Sequence, residues 1–568
     1  MRPALGSRWL SCFVLALTLL SLPSELSAKD KKIKGNQDLS DWVTSGEFDD
    51  NIKFDKNNPT LWIDGDVGNV ELSGELKEKW VGYGIINKSG SGTTSLSGQS
   101  EYRGDINITG GKIDVIGSAR LGNDNGGDYD GAIFVDSSGI MSFSTSASQT
   151  MSGALTGSGS FLKAGSGTLT ITNSNTFSGT TTLSGNGTLI LENQSALGTG
   201  AIVQSDANSI LRFDTTGTIT NNMTLYNFES LRNVTLSGDI NAQDATYKIA
   251  SGKETILSGN ITGTGKLSQV GADDANYRGT LTLTGDNNFE GDTEVDSVLN
   301  VGSATALSAN SKLKVNNGGT VNLNGFDSTV AGLEGNGAIQ GSAALTAGDE
   351  NDATFSGILQ DGNSGALSLV KKGSGKMTLS GANTFSGNTT LDEGSLEVKN
   401  AQALGTGSLS QTDGSSSLIF DTTGTVTNNL SIFSVEFLQD VILSGNIIAN
   451  NATYDVADGV TAEASGDITG TGGTTKIGLG TQVLSGNNTY TGANDVQVGT
   501  LRAGSTTAFG NNVATTVDSG AVLELDGFSN SIGSLAGAGT VENASATAAT
   551  LTTGADNTST TFSGVLQD

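Results

Sequence analysis

Three stretches bring together residues whose types and spacing suggest chemistry. In GNDNGGDYDG at 122–131, Asp124, Asp128 and Asp130 stand among Gly and Asn. Calcium takes several oxygen ligands in a flexible loop, so these carboxylates are a candidate metal site. The spacing is not that of an EF-hand and the closing Glu is missing, so a solvated acidic turn is the preferred reading. Arg103-Gly104-Asp105 is an integrin-type tripeptide beside the strand-like Ile106-Asn107-Ile108, and so short a match often arises by chance. Asp349, Glu350 and Asp352 stand close together, as carboxylates of a glycan-cleaving site would. The matching place later in the chain reads TTGADNTST, which breaks the pattern. The chain contains no His, so the usual base of nucleophile triads and the commonest metal ligand are missing. No constellation reads as catalytic, and no cofactor is expected beyond the calcium candidate.

The elements that carry these residues are set by composition. Of 568 residues, 81 are Gly and only 3 are Pro, and 35% are hydrophobic. Ordinary domains reach roughly 45–50% apolar with Gly counted; here Gly supplies much of that share, which leaves few apolar side chains for a core. A thin, elongated core served by many turns accounts for it; disorder is the alternative, opposed by regular Val, Ile and Leu alternation. The 58 Asp plus Glu against 29 Lys plus Arg exclude a nucleic-acid binder, which needs a basic surface. The acidic excess suits solubility and mutual repulsion between long particles.

The strongest signal is internal repetition. GSGTLTITNSNTFSG at 165–179 returns as GSGKMTLSGANTFSG at 373–387, with looser copies LTLTGDNNFEG at 281–291 and QVLSGNNTYTG at 482–492. Each has Asn (175, 287, 383, 488), an aromatic residue (Phe177, Phe289, Phe385, Tyr490) and a closing Gly. The first turn position is Asn173, Gly285, Gly381 or Gly486, which suggests a left-handed backbone there. FDTTGTITNN at 213–222 returns as FDTTGTVTNN at 420–429, and FSGILQD at 355–361 as FSGVLQD at 562–568.

In chain order, residues 1–28 read as a secretory signal, with Arg2 and Arg8 ahead of an apolar run and Ala28 before the cut. The sole Cys, Cys12, lies inside it. Residues 29–147 form a distinct N-terminal region holding Trp42, Trp62, Trp80 and Tyr83. These rings are read as a plug for the open end of a repeat stack; stacking on sugars is the other reading. Gly110-Gly111 joins two strand-like runs as a hairpin or a solenoid corner. Residues 148–370 and 371–568 form two long repeat units.

A strand of three to five residues with one apolar stripe cannot bury it alone. Piling such strands at about 4.8 Å buries the stripe and pairs the backbone. The expected fold is all-β, a right-handed parallel β-helix with on the order of 20 coils and a rod of about 100 Å. Asn at the corners is expected to be buried and to form ladders, each amide bonding to the next coil, although the four Asn are too far apart in sequence to need one another as partners. A β-sandwich array is the main competitor.

KAGSGTLTITNSNTFSGTTTLSGNGTLILEN at 163–193 and KKGSGKMTLSGANTFSGNTTLDEGSLEVKN at 371–400 resemble the passenger-associated transport repeat of bacterial autotransporters. VLELDGFSNSIGSLAGAGTV at 522–541 is similar to the segments that accompany it. The resemblance covers most of residues 148–568. It implies a β-helical passenger, exported through the inner membrane and held at the cell surface or released, whose repeats assist outer-membrane passage and folding. The implied role is a structural stalk or adhesin for a host, matrix or carbohydrate surface ligand, with the outer-membrane assembly machinery as a partner during export. A carbohydrate-active β-helix enzyme, lyase or hydrolase, is the alternative. The membrane β-barrel usual in such proteins is not in this sequence. The text stops at Asp568 where the first unit continues with GNSGALSLVKKGSG, so the chain is expected to be cut within a longer array.

Overall fold

The computed structural model describes residues 31–33, 37–38, 46–48, 52–54, 60–63, 69–78, 84–122, 128–271 and 274–568. The signal segment 1–28, Trp42, Trp80, Tyr83 and Asp124 lie outside them.

Apolar residues at every second position make short strands with one buried face. Thr168–Ile171 and Thr188–Leu191 each alternate half-buried Thr or Ile with buried Leu or Ile. One such strand has nowhere to hide its Leu, so successive coils stack in parallel. Leu169 pairs with Leu189, Leu189 with Leu211, and Leu211 with Phe228. Early coils have three strands. Asp105–Ile108, Gly111–Gly117 and Asp128–Tyr129 form one; Ile133–Val135, Gly139–Thr145 and Gln149–Met151 stack on them as the next. All three ladders between these two coils are parallel. The result is a right-handed parallel β-helix of about 24 turns.

Later coils fuse two faces into one bent strand. Met223–Ser230 stacks on Ile240–Ile249, with a break in register between Leu225 and Asn227. Leu430–Phe437 and Ile447–Val456 repeat this, with the break between Ile432 and Ser434. A bulge in one strand bends it, and here it turns the corner between faces.

One hydrophobic core runs from Leu61 to Val541. Each fully buried Leu, Ile or Phe contributes roughly 1.5–3 kcal/mol over an exposed one, so the stack is held by many small, local terms. Aromatic residues line up inside it. Phe213, Phe228 and Tyr247 stand with ring centroids 5.3 and 5.6 Å apart, and Phe420, Phe437 and Tyr454 at 5.7 and 6.4 Å. Ladders cross residues 147–148 and 370–371 without a break, since Phe161 pairs with Met141, Leu369 with Leu345, and Thr389 with Leu369.

Three local expectations meet the structure differently. Gly110-Gly111 is a solenoid corner, with Gly111 at φ 68° and its two flanking strands pairing in parallel with other coils. Trp62 does not plug an open end. It points outward from Thr60–Ile63 and is 42% exposed, while Leu61 and Ile63 fill the core. Asn173, Gly285, Gly381 and Gly486 are not left-handed: none has positive φ. At the three Gly positions a Cβ would strike the carbonyl oxygen of Gly259, Gly357 or Gly466 in the coil below. Close rung-to-rung approach, not an unusual dihedral, excludes a side chain from those three.

Candidate functional site

The repeated motif builds a clamp between three coils. Asn175 is buried; its Oδ1 accepts from the Leu155 N–H at 2.8 Å and its Nδ2 donates to the Ala196 carbonyl at 2.6 Å. Asn287 joins Ile261 N–H to Ala306 O, Asn383 joins Leu359 N–H to Ala403 O, and Asn488 joins Ile468 N–H to Ala508 O, all at 2.6–2.8 Å. The expectation of buried, coil-to-coil Asn holds, with backbone groups rather than other Asn residues as partners. Phe177, Phe289, Phe385 and Tyr490 are wholly buried beside them.

A second device was not foreseen. Lys88, Lys163, Lys371 and Lys476 are buried, each just ahead of the turn that opens a repeat. Their stems lie in the core and their ammonium groups donate to turn carbonyls. Lys371 Nζ reaches Lys372 O and Gly373 O at 2.7 Å and Glu393 O at 3.1 Å. Lys476 Nζ reaches Ile477 O, Gly478 O and Val498 O at 2.7, 2.8 and 3.2 Å. Lys163 Nζ donates to Gly165 O. Burial pushes Lys163 and Lys476 down to about 8. Gln269 takes the place matched to Lys476, stacked on Tyr247 as Lys476 is on Tyr454, and donates to Gly279 O and Val298 O.

Side-chain oxygens also form two edge ladders. Asn222 accepts from Asp239 N–H, Asp239 from Asn260 N–H, and Asn260 from Asp286 N–H. Asn429, Asn446 and Asp467 do the same to Asn446, Asp467 and Asn487.

The candidate chemical residues are dispersed into such scaffolding. Asp128 accepts from Ser152 Oγ at 2.8 Å, and Asp130 is paired with Arg103. Among the described residues no three ligand-type side chains gather as a metal site. In the tripeptide Arg103-Gly104-Asp105, Arg103 is held by Asp130, Gly104 O accepts from Tyr129 Oη, and Asp105 Oδ1 accepts from Ala132 N–H. Asp349 accepts from Asn351 N–H within its own turn, and Asp352 from Lys376 N–H of the next coil.

What is defined is a class: a parallel β-solenoid whose coils are fastened by repeated Asn clamps. The passenger-associated-transport-repeat family matches residues 86–115, 161–191, 278–297, 369–398 and 475–503. The last four contain the four Asn clamps. The first shows a copy that sequence reading missed: Ser100 stands where the others have Asn, followed by Tyr102 and Gly104. Ser100 Oγ bonds to Leu76 O, and Tyr102 is wholly buried. Gly104 is therefore the closing Gly of a repeat, which accounts for the integrin-type tripeptide. The Adhesin BmaC autotransporter of Brucella suis biovar 1 (strain 1330) is 32% identical over 518 residues, covering 84% of this chain and 15% of that protein. The chain thus spans about 15% of the length of this curated relative. No solved structure matches. Fold, repeats and relative together identify the chain as a passenger-associated-transport-repeat solenoid of the autotransporter-passenger type.

Proposed function

We propose that the chain is a surface-displayed segment of an autotransporter passenger that serves as a stiff stalk and adhesin. The observation that carries this reading is the single unbroken core through the stacked coils, in a chain similar to a protein named as an adhesin autotransporter. A solenoid whose repeats contact only their neighbours can fold progressively from one end. That property suits a chain emerging through a membrane pore, and the repeats assist passage in this way. Residues 1–28 direct export across the inner membrane, and the product stands at the cell surface or is released. Residues 29–147 and the units 148–370 and 371–568 are the segments of this stalk.

The test is display. Residues 29–568, fused to a membrane-barrel translocator in a non-adherent Gram-negative strain, are expected to become accessible to external protease. Attachment to host-cell monolayers or matrix-coated plastic should then rise several-fold. Full display with no gain over the translocator alone would contradict the adhesin role. Release of reducing sugar from a polymer would favour the enzymatic alternative.

A further inference from the structure

On the outer face made by the first strand of each early coil, four side chains stand in register. Trp62 pairs with Asn87, Asn87 with Asn107, and Asn107 with Phe134. Rungs lie about 4.8 Å apart, so the two rings are separated by roughly 14 Å along the axis. Trp62 is 42% exposed and Phe134 39%. Their strand neighbours Leu61, Ile63, Ile133 and Val135 fill the core, so neither ring is needed for packing. Between them, Asn107 Nδ2 donates to Asn87 Oδ1 at 2.8 Å. That bond orients both amides and leaves Asn87 Nδ2 as a donor and Asn107 Oδ1 as an acceptor, with no other partner among the described residues.

We propose that this face binds an extended, uncharged polysaccharide lying along the solenoid axis. Its sugar faces stack on Trp62 and Phe134, and its hydroxyls exchange hydrogen bonds with the amide pair. The proposal rests on the adhesin reading and gives it a site and a ligand class. Each feature of the face selects this occupant. An exposed aromatic ring on a polar sheet offers an apolar plate for the C–H face of a pyranose. A hydroxyl both gives and takes a hydrogen bond, and the two amides supply one free group of each kind. The rung spacing is close to the advance of one ring in an extended glycan. All four residues are neutral, and a chain of net charge −29 repels acidic glycans. A peptide adding as a strand would need a free sheet edge, whereas these strands are paired on both sides.

The experiment applies the chain, residues 29–568, to an array of immobilised neutral and acidic glycans. Wild type is expected to bind at least one neutral glycan and to leave the acidic ones bare. Trp62→Ala and Phe134→Ala should each weaken binding at least tenfold with an unchanged melting temperature, because both rings are exposed. Trp62→Tyr, which keeps a ring, should retain most of it. Absence of any neutral ligand would overturn the proposal. So would binding that persists in the double alanine variant or survives periodate destruction of the sugar. The same variants are displayed on cells: adhesion without glycan binding removes this site but leaves the adhesin reading, whereas displayed wild type that fails to adhere removes the adhesin reading itself.

Discussion

At the scale of single residues, each Asn clamp satisfies one backbone donor and one acceptor that no water reaches. Leaving a buried polar group unpaired costs about 1–3 kcal/mol, and Asn383→Ala strands two, Leu359 N–H and Ala403 O. The variant is expected to lose at least about 2 kcal/mol, read as faster amide exchange confined to the coils around residues 355–403. The buried lysines make a second prediction. Gln269 already occupies the place matched to Lys476, so Lys476→Gln should be nearly neutral at pH 7, whereas Lys476→Met leaves three turn carbonyls bare and should destabilise. Lys163 and Lys476 release their protons near 8 in the folded chain against 10.5 when unfolded. Between those values the unfolded chain binds more protons, so stability rises with pH. Thermal melts should show that rise over the first stretch of pH above about 8, before the buried Tyr247, Tyr454 and Tyr490, whose hydroxyls burial pushes up from 10.0, begin to oppose it, and it should shrink in a Lys163→Gln/Lys476→Gln variant. Asn, aromatic and Gly positions were legible in the sequence because they recur in type and spacing. The buried lysines were not, because Lys beside a Gly turn reads as a solvated end and only the coil beneath supplies its carbonyls. The copy at 100–104 escaped because Ser100 replaces Asn and makes only one bond to a neighbouring coil, donating to Leu76 O.

At the scale of elements, the two long units are near-copies whose outer ladders differ in charge. Glu229 is gripped by Arg212 at 2.6 Å and stands in register with Lys248. The matched Glu436 stands in register with Asp455. Burial first, and then the charges of Asp455 and Glu397, push the Glu436 carboxyl up. A raised carboxyl holds its proton more readily folded than unfolded, so its contribution grows as pH falls toward the carboxylate range and is unfavourable at neutral pH. Opposite signs are therefore expected at matched places. Glu436→Gln should stabilise at pH 7, and Glu229→Gln should destabilise, each by roughly 0.2–1 kcal/mol, measured as melting shifts. The alternation of buried and exposed residues that predicts strands was plain in the sequence. The close rung contact at Gly381 was not, since Gly alone does not say whether a dihedral or a neighbour requires it. Gly381→Ala, driving a methyl into Gly357 O, should cost about 1–3 kcal/mol.

At the scale of the whole molecule, stability is a sum over coils and their interfaces, so unfolding need not be all-or-none. The β-helix was legible because the polar, Gly-rich composition leaves too little apolar surface for globular cores while the alternation demands burial. The register of each ladder, and with it the face that sets Trp62 in line with Phe134, was not legible, since coil lengths vary and only the stacked structure fixes which residues become neighbours. The central claim is one continuous stack. About 24 turns at about 4.8 Å per rung give a rod somewhat over 100 Å long. Small-angle X-ray scattering of residues 29–568 is the most direct test. A rod-like profile with a maximum dimension above about 100 Å and a radius of gyration above about 30 Å is expected. A radius of gyration near 24 Å, the value for a compact chain of this length, would contradict it.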